Sequence, residues 1–405
     1  QINSCIKIGV YDKDILNMEM DFLHEGLPRR EFDTEPFPYH TEKANVEVSD
    51  HSDTFEKMLN AHNICSYEFI SQQYDHEVQD NSVIKPLQGK GRVNNTASVI
   101  KPVFDSSKGV VLSRALYPRM SEINAYDMAA CAIDTSIRNA VSVGGNIDHL
   151  AILDNFCWCS SSDPKRLAQL KDAAKACYDY STAFMTPLIS GKDSMFNDFK
   201  GFDSSGNVKK ISVFPTLLIS SIGVVEDVKN TVTMDLKVPG DLIYVIGKTK
   251  DECGGSEFYN LFDELGVSTP KVDSDLARKL YLKMYELNKK NMFSACTSIC
   301  EGGFAMALAK MSIAGRLGVE CNLSLVPNDD LSVEKIMYSE TQSRFIITID
   351  ASRKEEFENC MSDFEIGEIG QVTERGFVIK NNDEEIISKN VPELDEIYKK
   401  RFKDY

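Results

Sequence analysis

The apolar positions between residues 126 and 225 alternate between a helical and an extended spacing. From Tyr126 to Val143 they recur every three or four residues, which predicts a helix with one apolar face that ends at Gly144-Gly145. The run HLAILDNF at 149–156 predicts a buried strand, and FPTLLISSIGVV at 214–225 predicts a long apolar one. Between them, Asp163-Pro164 predicts the start of a second helix, because Asp caps helices and Pro suits their first turn.

The same interleaving restarts after about Asp235. GDLIYVIG predicts a strand, SDLARKLYLKMYELNKK an amphipathic helix, and CEGGFAMALAKMSIAG a helix that begins and ends at Gly. Strands and helices that alternate along a chain indicate α/β layers, so we predict two α/β domains with a boundary near residue 235. Residues 29 to about 65 are polar and rich in charge, which predicts a linker with one short helix from Asp53 to His62.

Composition narrows the class of protein. The 405 residues carry a formal net charge of −17, with 42% hydrophobic and 26% charged residues, as in ordinary globular proteins. This acidic balance argues against nucleic acid or an anionic membrane as the main partner, although one pocket can still be locally positive. The 11 Cys, without a signal peptide, favour a reducing, cytoplasmic location.

The stretch PLISGKDSM at 187–195 ends an apolar run in a Gly-Lys-x-Ser sequence, which invites comparison with a phosphate-binding loop. A P-loop needs a Gly five residues ahead of the Gly-Lys pair, and Ser or Thr directly after the Lys. Thr186 and Asp193 stand at those two positions. The stretch is therefore not a P-loop.

Polar residues follow apolar runs at two predicted strand ends: Asp154-Asn155 after HLAIL, and Gly191-Lys-Asp-Ser194 after TPLI. Ligands collect at the carboxyl ends of strands in α/β layers. There an Asp can hold Mg²⁺ or a nucleotide hydroxyl, Gly lets backbone approach a phosphate, and Lys and Ser offer a charge and a hydroxyl. The plainer alternative has equal weight: Asp154 caps the next turn, and Gly191 turns the chain. The further pocket candidates are Lys192, Asp193 and Arg119.

Other motifs favour structural roles. The Gly pairs in DECGGSEF and CEGGF could receive an anion at a helix start, but a tight turn is the more frequent role. His76 could be a base, although a hydrogen-bonded structural His is more frequent. Among the six His, no Ser-His-Asp order or metal-binding pair stands out. We therefore assign no catalytic residue and no metal ligand.

Eight short motifs follow one another in a specific order along nearly the whole chain. They are FLHEGLPRR, SQQYDHEVQ, LDNFCW, TPLISGKDSM, FPTLLISSIGVVEDV, GGSEF, EGGFAMALAKM and SETQSRF. Each motif is weak by itself, but the ordered set resembles the phosphoribosylformylglycinamidine synthases of purine biosynthesis. More closely, the chain resembles the C-terminal half of their large subunit.

The resemblance implies a module of two domains like that of aminoimidazole ribonucleotide (AIR) synthase, present twice in the full subunit. Residues 1–28 would be the remnant of the preceding module's C-terminal domain, so the chain would begin inside a domain. Residues 29–90 would be a linker, 91–235 the N-terminal domain and 236–405 the C-terminal domain, an α/β sandwich. N-terminal domains of this superfamily pair sheet to sheet into a barrel-like dimer.

The resemblance also implies a reaction and its cofactors, ATP and Mg²⁺. ATP phosphorylates the amide oxygen of formylglycinamide ribonucleotide, and ammonia derived from glutamine then displaces phosphate. Matched position by position, Asp154 and Gly191 would bind ATP, and Ser194 would bind the substrate. Lys192 stands where shorter bacterial enzymes have a magnesium-binding Asn, and a protonated Lys cannot bind a metal. The family's catalytic His belongs to the first module, outside this chain.

Long-form members of the family carry a second, non-catalytic nucleotide site with magnesium. At its acidic positions this chain has Thr96, Thr135 and Ser298, while Asn139 is retained. Hydroxyl groups cannot balance a divalent ion that is bound to a nucleotide. We therefore predict that this auxiliary site is empty or filled differently.

Two alternatives stay open. Another ATP-dependent enzyme of the superfamily would share both domains but would lack the lead-in FLHEGLPRR and YDHEVQ. A non-catalytic scaffold half would contribute only part of a site to its partner. The expected partners are the N-terminal half of the enzyme, a glutaminase domain or subunit, and formylglycinamide ribonucleotide. Alone, the chain is expected to be inactive and to form homodimers that replace the absent module.

Overall fold

The computed structural model describes residues 5–7, 10–11, 13–14, 17–26, 31–73 and 77–405. His76 and parts of residues 1–28 lie outside the described residues. The strands are β1 Cys5–Lys7, β2 Val10–Tyr11, β3 Lys13–Asp14, β4 Asn17–Glu19, β5 Ser82–Ile84, β6 Leu87–Gln88, β7 Val93–Asn94, β8 Ala97–Ile100, β9 Gly109–Ala115, β10 Leu150–Cys157, β11 Leu188–Ser194, β12 Asp198–Phe202, β13 Val208–Ser212, β14 Thr216–Val225, β15 Leu242–Ile246, β16 Ala295–Ser298, β17 Gly318–Asn322, β18 Phe345–Ile349, β19 Ile366–Thr373, β20 Gly376–Asn381 and β21 Glu384–Asn390. The helices are α1 Met20–Glu25, α2 His51–Leu59, α3 Glu68–Ser71, α4 Ala125–Ser142, α5 Pro164–Phe184, α6 Glu257–Asn260, α7 Ser274–Lys289, α8 Gly303–Gly315, α9 Val333–Tyr338, α10 Lys354–Cys360 and α11 Val391–Lys399.

The first large sheet has the strand order β11-β10-β14-β9-β8-β5. β10 and β11 are parallel, whereas β14 pairs antiparallel with both β10 and β9. α4 packs on β9 and β14 and is flanked by α5, so one face of the sheet is covered by helices. Both helices were predicted, and α5 begins as expected: the Asp163 side chain accepts the backbone N–H groups of Lys165 and Arg166.

The second large sheet has the order β16-β18-β15-β19-β17-β20-β21. Helices cover both of its faces, which explains why β15 is apolar at every position. Ile243 and Val245 face the core that contains α8, while Tyr244 and Ile246 face the core that contains α4 and α7. The layer of α4, α5 and α7 therefore lies between the two sheets.

The segment ahead of the first sheet is tied to the rest of the fold. α2 confirms the short helix predicted there, and Asp50 caps it by accepting the backbone N–H of Asp53. Its buried residues Phe55 and Met58 pack in the same core as α8 and α11. This part of the predicted linker is thus held by apolar packing.

The observed layers confirm the predicted α/β architecture. The domain boundaries and the barrel-like dimer stay predictions. Among the described helices, none combines the length and the apolar character needed to cross a membrane.

Candidate functional site

The candidate ATP-binding residues lie on two neighbouring parallel strands. Asp154 in β10 pairs in register with Gly191 in β11, and Ser194 lies three residues further along β11. Side chains alternate along a strand, so Asp154 shares its face of the sheet with the buried Ile152, the face that the helices cover. The sheet therefore places these three candidates along one edge.

Gly191 does not turn the chain, so that expectation was wrong. β11 continues through it to Ser194, because pairing with β10 imposes an extended backbone on a sequence that resembles a turn. A Cβ at Gly191 would lie 2.4 Å from Oδ1 of Asp154. Gly191 is therefore required here because it leaves room for the carboxylate of Asp154.

The environment of Asp154 leaves its charge available. Burial raises the pKa of this carboxyl group, a hydrogen bond from the backbone of Lys192 opposes the rise, and the charge of Asp193 adds to it. In the described part of the chain, Asp154 forms no ion pair. A positively charged ligand or a donor from another chain would therefore stabilise the ionised form.

The other candidates on β11 face outward. Lys192 and Asp193 are exposed, and Ser194 is half-buried. The amide of Asn197 donates to the backbone carbonyl of Ser194 at 2.7 Å, and the two side chains lie within hydrogen-bond distance. Since β11 is the last strand of its sheet, this site opens to the outside of the chain.

Arg119 is not part of this edge. It lies in the short 3₁₀ turn Pro118–Glu122, donates to the carbonyl oxygen of Glu264 at 2.8 Å, and lines a cavity. Leu153, the neighbour of Asp154 in β10, lines the same cavity. Alternation along β10 puts Asp154 and this cavity on opposite faces of the sheet. The pocket candidates thus belong to two separate places.

The cavity has a volume of about 760 Å³. One wall is the face of the first sheet that the helices leave uncovered. The other wall comes from the turn at Gly255, the segment before α8 and residues of the predicted linker. This volume suits a small organic ligand.

Two of the predicted auxiliary-site positions line the cavity, and a third lies behind its wall. Thr96 and Asn139 are lining residues. The buried hydroxyl of Thr135 pairs with the hydroxyl of Tyr117 at 2.8 Å and with Oε1 of Gln342 at 2.6 Å. Thr135 therefore serves the internal hydrogen-bond network in this structure.

The fourth position, Ser298, is also engaged internally. Its hydroxyl contacts Oδ1 of Asn139 and lies 3.1 Å from Sγ of Cys300. Among the described residues, no group of three or more His, Cys, Asp or Glu side chains is arranged to hold a metal ion. The hydroxyls of Thr135 and Ser298 are thus engaged with neighbouring side chains of this chain.

Sequence reasoning missed five charged residues of the cavity: Arg114, Glu257, Glu301, Lys310 and Glu340. They come from β9, α6, the segment before α8, α8 itself and the turn after α9, so only the fold brings them together. Oε1 of Glu340 accepts the backbone N–H groups of Gly302 and Glu257, both at 2.9 Å. The available signal was the motifs CEGGF and SETQSRF, which supply the Gly pair and its partner Glu.

Comparisons with known proteins agree with the resemblance. Residues 238–380 match the family model "AIR synthase related protein, C-terminal domain". The chain is 31% identical over 351 residues to the phosphoribosylformylglycinamidine synthase subunit PurL of Methanocaldococcus jannaschii, covering 85% of this chain and 45% of that protein.

Two solved structures of T. maritima PurL share the fold. The complex with FGAR matches with a TM-score of 0.63 at 17% identity, over 84% of this chain and 53% of that chain. The complex with ATP matches with a TM-score of 0.58 at 16% identity, over 85% of this chain and 51% of that chain. The predicted resemblance and the AIR-synthase-like fold are thereby confirmed. The chain spans about half the length of the curated relatives it matches.

Proposed function

We propose that this chain forms one half of an ATP-dependent ligase of purine biosynthesis. The complete enzyme converts formylglycinamide ribonucleotide, ATP and ammonia derived from glutamine into formylglycinamidine ribonucleotide. The observation that carries the proposal is the similarity to PurL along 85% of the chain, together with AIR-synthase-related residues 238–380. The T. maritima PurL complexes with FGAR and with ATP support the substrate and the nucleotide.

In this proposal, the edge formed by β10 and β11 contributes to the active site. Asp154 binds the nucleotide, Gly191 keeps the space that Asp154 occupies, and Ser194 donates a hydrogen bond to the ribonucleotide. Asp154 forms no ion pair among the described residues, so its carboxylate can accept a hydrogen bond from a hydroxyl group of the nucleotide, which supports this role. Lys192, Asp193 and Arg119 remain candidates for further contacts with the ligands.

Mg²⁺ is expected to bind together with ATP, but the described residues of this chain do not provide enough ligands to coordinate it. Mg²⁺ takes several oxygen ligands, and no cluster of three acidic or His side chains exists among the described residues. The edge of β10 and β11 offers only the carboxyl groups of Asp154 and Asp193, beside Lys192. We therefore infer that most protein ligands of the metal belong to the other half of the enzyme.

The site is half of an interface in this proposal. β11 ends its sheet, and on the uncovered face Leu112 and Val224 are 41% and 43% exposed. Apolar residues in such positions support packing against another sheet. We propose that the N-terminal half of the enzyme covers this face, that a glutaminase domain or subunit supplies ammonia in the cytoplasm, and that the isolated chain dimerises instead. A monomer in sedimentation velocity at micromolar concentrations would contradict the last point.

The test is reconstitution from two halves. We expect no product from the chain alone with ATP, formylglycinamide ribonucleotide and ammonium chloride, and product when the N-terminal half is added. Turnover by the chain alone would overturn the division of the active site. The second candidate function, a non-catalytic scaffold half that contributes only part of the site and not Asp154, is favoured by the outward opening of β11. It predicts that Asp154→Asn leaves the reconstituted activity unchanged.

A further inference from the structure

The turn that follows β11 holds the candidate substrate residue Ser194 by its backbone and by its side chain. The carbonyl oxygen of Ser194 accepts the N–H of Trp158 at 2.8 Å and the side-chain amide of Asn197 at 2.7 Å. Its hydroxyl oxygen lies 3.1 Å from Nδ2 and 3.3 Å from Oδ1 of that same amide. Among the described residues, no other side chain forms a hydrogen bond with this hydroxyl. Asn197 is therefore the neighbour that can orient it.

The backbone of this turn is anchored to the residues that follow β10. The N–H of Phe196 donates to the carbonyl oxygen of Cys159 at 3.2 Å, and the N–H of Asn197 donates to that of Trp158 at 3.0 Å. Trp158 and Cys159 are buried, so both anchors belong to the core. Phe196 has a φ of 62°, in the left-handed region that bulky residues rarely adopt. Its ring is 56% exposed, so the hydrogen bonds rather than ring packing impose this conformation, and such strained residues concentrate at functional sites.

The contacts with Ser194 fix the orientation of the Asn197 amide. A carbonyl oxygen only accepts, so the amide atom 2.7 Å from it must be Nδ2, which has two hydrogens. The second hydrogen can reach the Ser194 hydroxyl oxygen, since 3.1 Å lies within the range of about 2.7–3.2 Å for N–H···O bonds. Donation in the other sense, from the hydroxyl to Oδ1, would span 3.3 Å, beyond the range of about 2.5–3.0 Å for O–H···O bonds. The hydroxyl therefore accepts from Asn197 and keeps its own proton for a ligand.

The charge beside Ser194 favours the same polarity. Lys192 and Ser194 lie two residues apart in β11, so their side chains share one face of the sheet, while Asp193 points to the other face. Lys192 is exposed and forms no ion pair with any described residue. A hydroxyl proton beside an ammonium group suits a ligand oxygen that only accepts, such as a phosphate or amide oxygen.

We propose that Asn197 is a positioning residue that holds the Ser194 hydroxyl as a hydrogen-bond donor towards an acceptor oxygen of the ribonucleotide. This inference rests on the proposed role of Ser194 in substrate binding and adds a residue that acts through it. Without the amide, the hydroxyl would rotate freely and present its lone pairs as often as its proton. The loss would then appear in kcat/KM for the ribonucleotide and not in the KM for ATP.

A double-mutant cycle in the reconstituted enzyme tests this. Ser194→Ala, Asn197→Ala and their combination are compared by kcat/KM for formylglycinamide ribonucleotide, with ammonium chloride as the nitrogen donor. Asn197→Ala should lower this value about fivefold to tenfold, less than Ser194→Ala, because the hydroxyl is still present but no longer oriented. In the Ser194→Ala background the same change should cost less than about twofold, because the hydroxyl through which Asn197 acts is gone. The KM for ATP should stay within about twofold of the wild-type value throughout.

Asn197→Asp tests the polarity. It keeps the shape of the side chain, but a carboxylate only accepts, so the Ser194 hydroxyl would turn its proton inward. We expect kcat/KM for the ribonucleotide to fall at least as far as in Ser194→Ala, while the melting temperature stays near that of the wild type. Asn207→Ala, at an exposed Asn between β12 and β13, is the matched control and should leave kcat/KM within about twofold.

The outcomes separate this inference from the proposed function. Equal losses from Asn197→Ala in both backgrounds would show a structural role only and would overturn the proposal, as would full activity of Asn197→Asp. If Asn197→Ala does not fold, the isosteric Asn197→Asp decides. If instead Ser194→Ala keeps the wild-type kcat/KM, the proposed substrate contact is itself wrong, and this inference falls with it.

Discussion

Glu340 offers a prediction in which two opposing effects on one carboxyl group can be weighed. Its side chain is 1% exposed, and Oε1 accepts the backbone N–H groups of Gly302 and Glu257. Those donors, at the starts of α8 and α6, favour the ionised form. Burial and the nearby charge of Glu257 favour the protonated form and prevail, raising the pKa of Glu340 from 4.5 to about 8. A helix N-terminus contributes up to about 2 kcal/mol, which is less than the cost of burying the charge.

The sign of the pH dependence follows. The folded chain keeps a proton on Glu340 that the unfolded chain releases above its ordinary pKa. Below about pH 4.5 the protonated Glu340 makes its full contribution to the free energy of unfolding. This contribution is lost as the pH rises through about 8. Each pH unit in that interval is worth about 1.4 kcal/mol, so the whole loss is at most about 5 kcal/mol.

Glu340→Gln removes the titration but keeps Oε1 as an acceptor for both N–H groups. We expect the melting temperature of the variant, minus that of the wild type, to rise by several degrees between pH 5.5 and 8.5. Differential scanning calorimetry at matched ionic strength measures this. Glu384→Gln, at an exposed residue at the start of β21, is the control, and its difference in melting temperature should not change with pH. If Glu340→Gln instead destabilises the chain at pH 8.5, by about the 1.5–3 kcal/mol of a charged hydrogen bond, the ionised form is the native one and our weighing is wrong.

Four further predictions concern the reconstituted enzyme. Asp154→Asn should lower ATP turnover while leaving the melting temperature within about a degree, because it keeps size but removes the charge; an unchanged rate would remove Asp154 from the site. Gly191→Ala should lower turnover similarly, because its Cβ would lie 2.4 Å from Oδ1 of Asp154 and would push the carboxylate away. Full activity of this variant would refute that reasoning. Ser194→Ala should cost about tenfold to a hundredfold in kcat/KM for the ribonucleotide. Thr135→Ala and Ser298→Ala should leave the rate unchanged and lower only the stability. A loss of rate in these variants would mean that the active and auxiliary sites have been assigned the wrong way round.

Periodic patterns predicted the elements that hold the site. α4 matches the predicted helix to within a residue at each end, because its apolar spacing and the Gly pair after it are local signals. β15 was likewise recognised from its apolar run. Long elements of this kind are specified by the residues that compose them.

Pairing partners and cavities could not be predicted in the same way. The Gly-Lys-Asp-Ser sequence has the local preferences of a turn, but its pairing with β10, a strand some 40 residues earlier, extends it into β11. Lys310 reads as one more polar position on a predicted helix, and Glu340 as a position in a weak motif. Their common cavity depends on how α8, α9 and the first sheet pack, which no local spacing encodes.

The two faces of β10 explain why the candidate site is incomplete in this chain. Asp154 lies beside β11, the last strand of its sheet, so whatever contacts its carboxylate from beyond that edge must come from another body. Leu153 points the other way, into a cavity that the linker and the connections of the second sheet line on one side. Leu112 lines the same cavity and belongs to the face that we propose the N-terminal half covers, so this cavity is not closed by the chain alone. Both faces of β10 therefore meet the N-terminal half in the complete enzyme that we propose, which is why we expect turnover only after reconstitution.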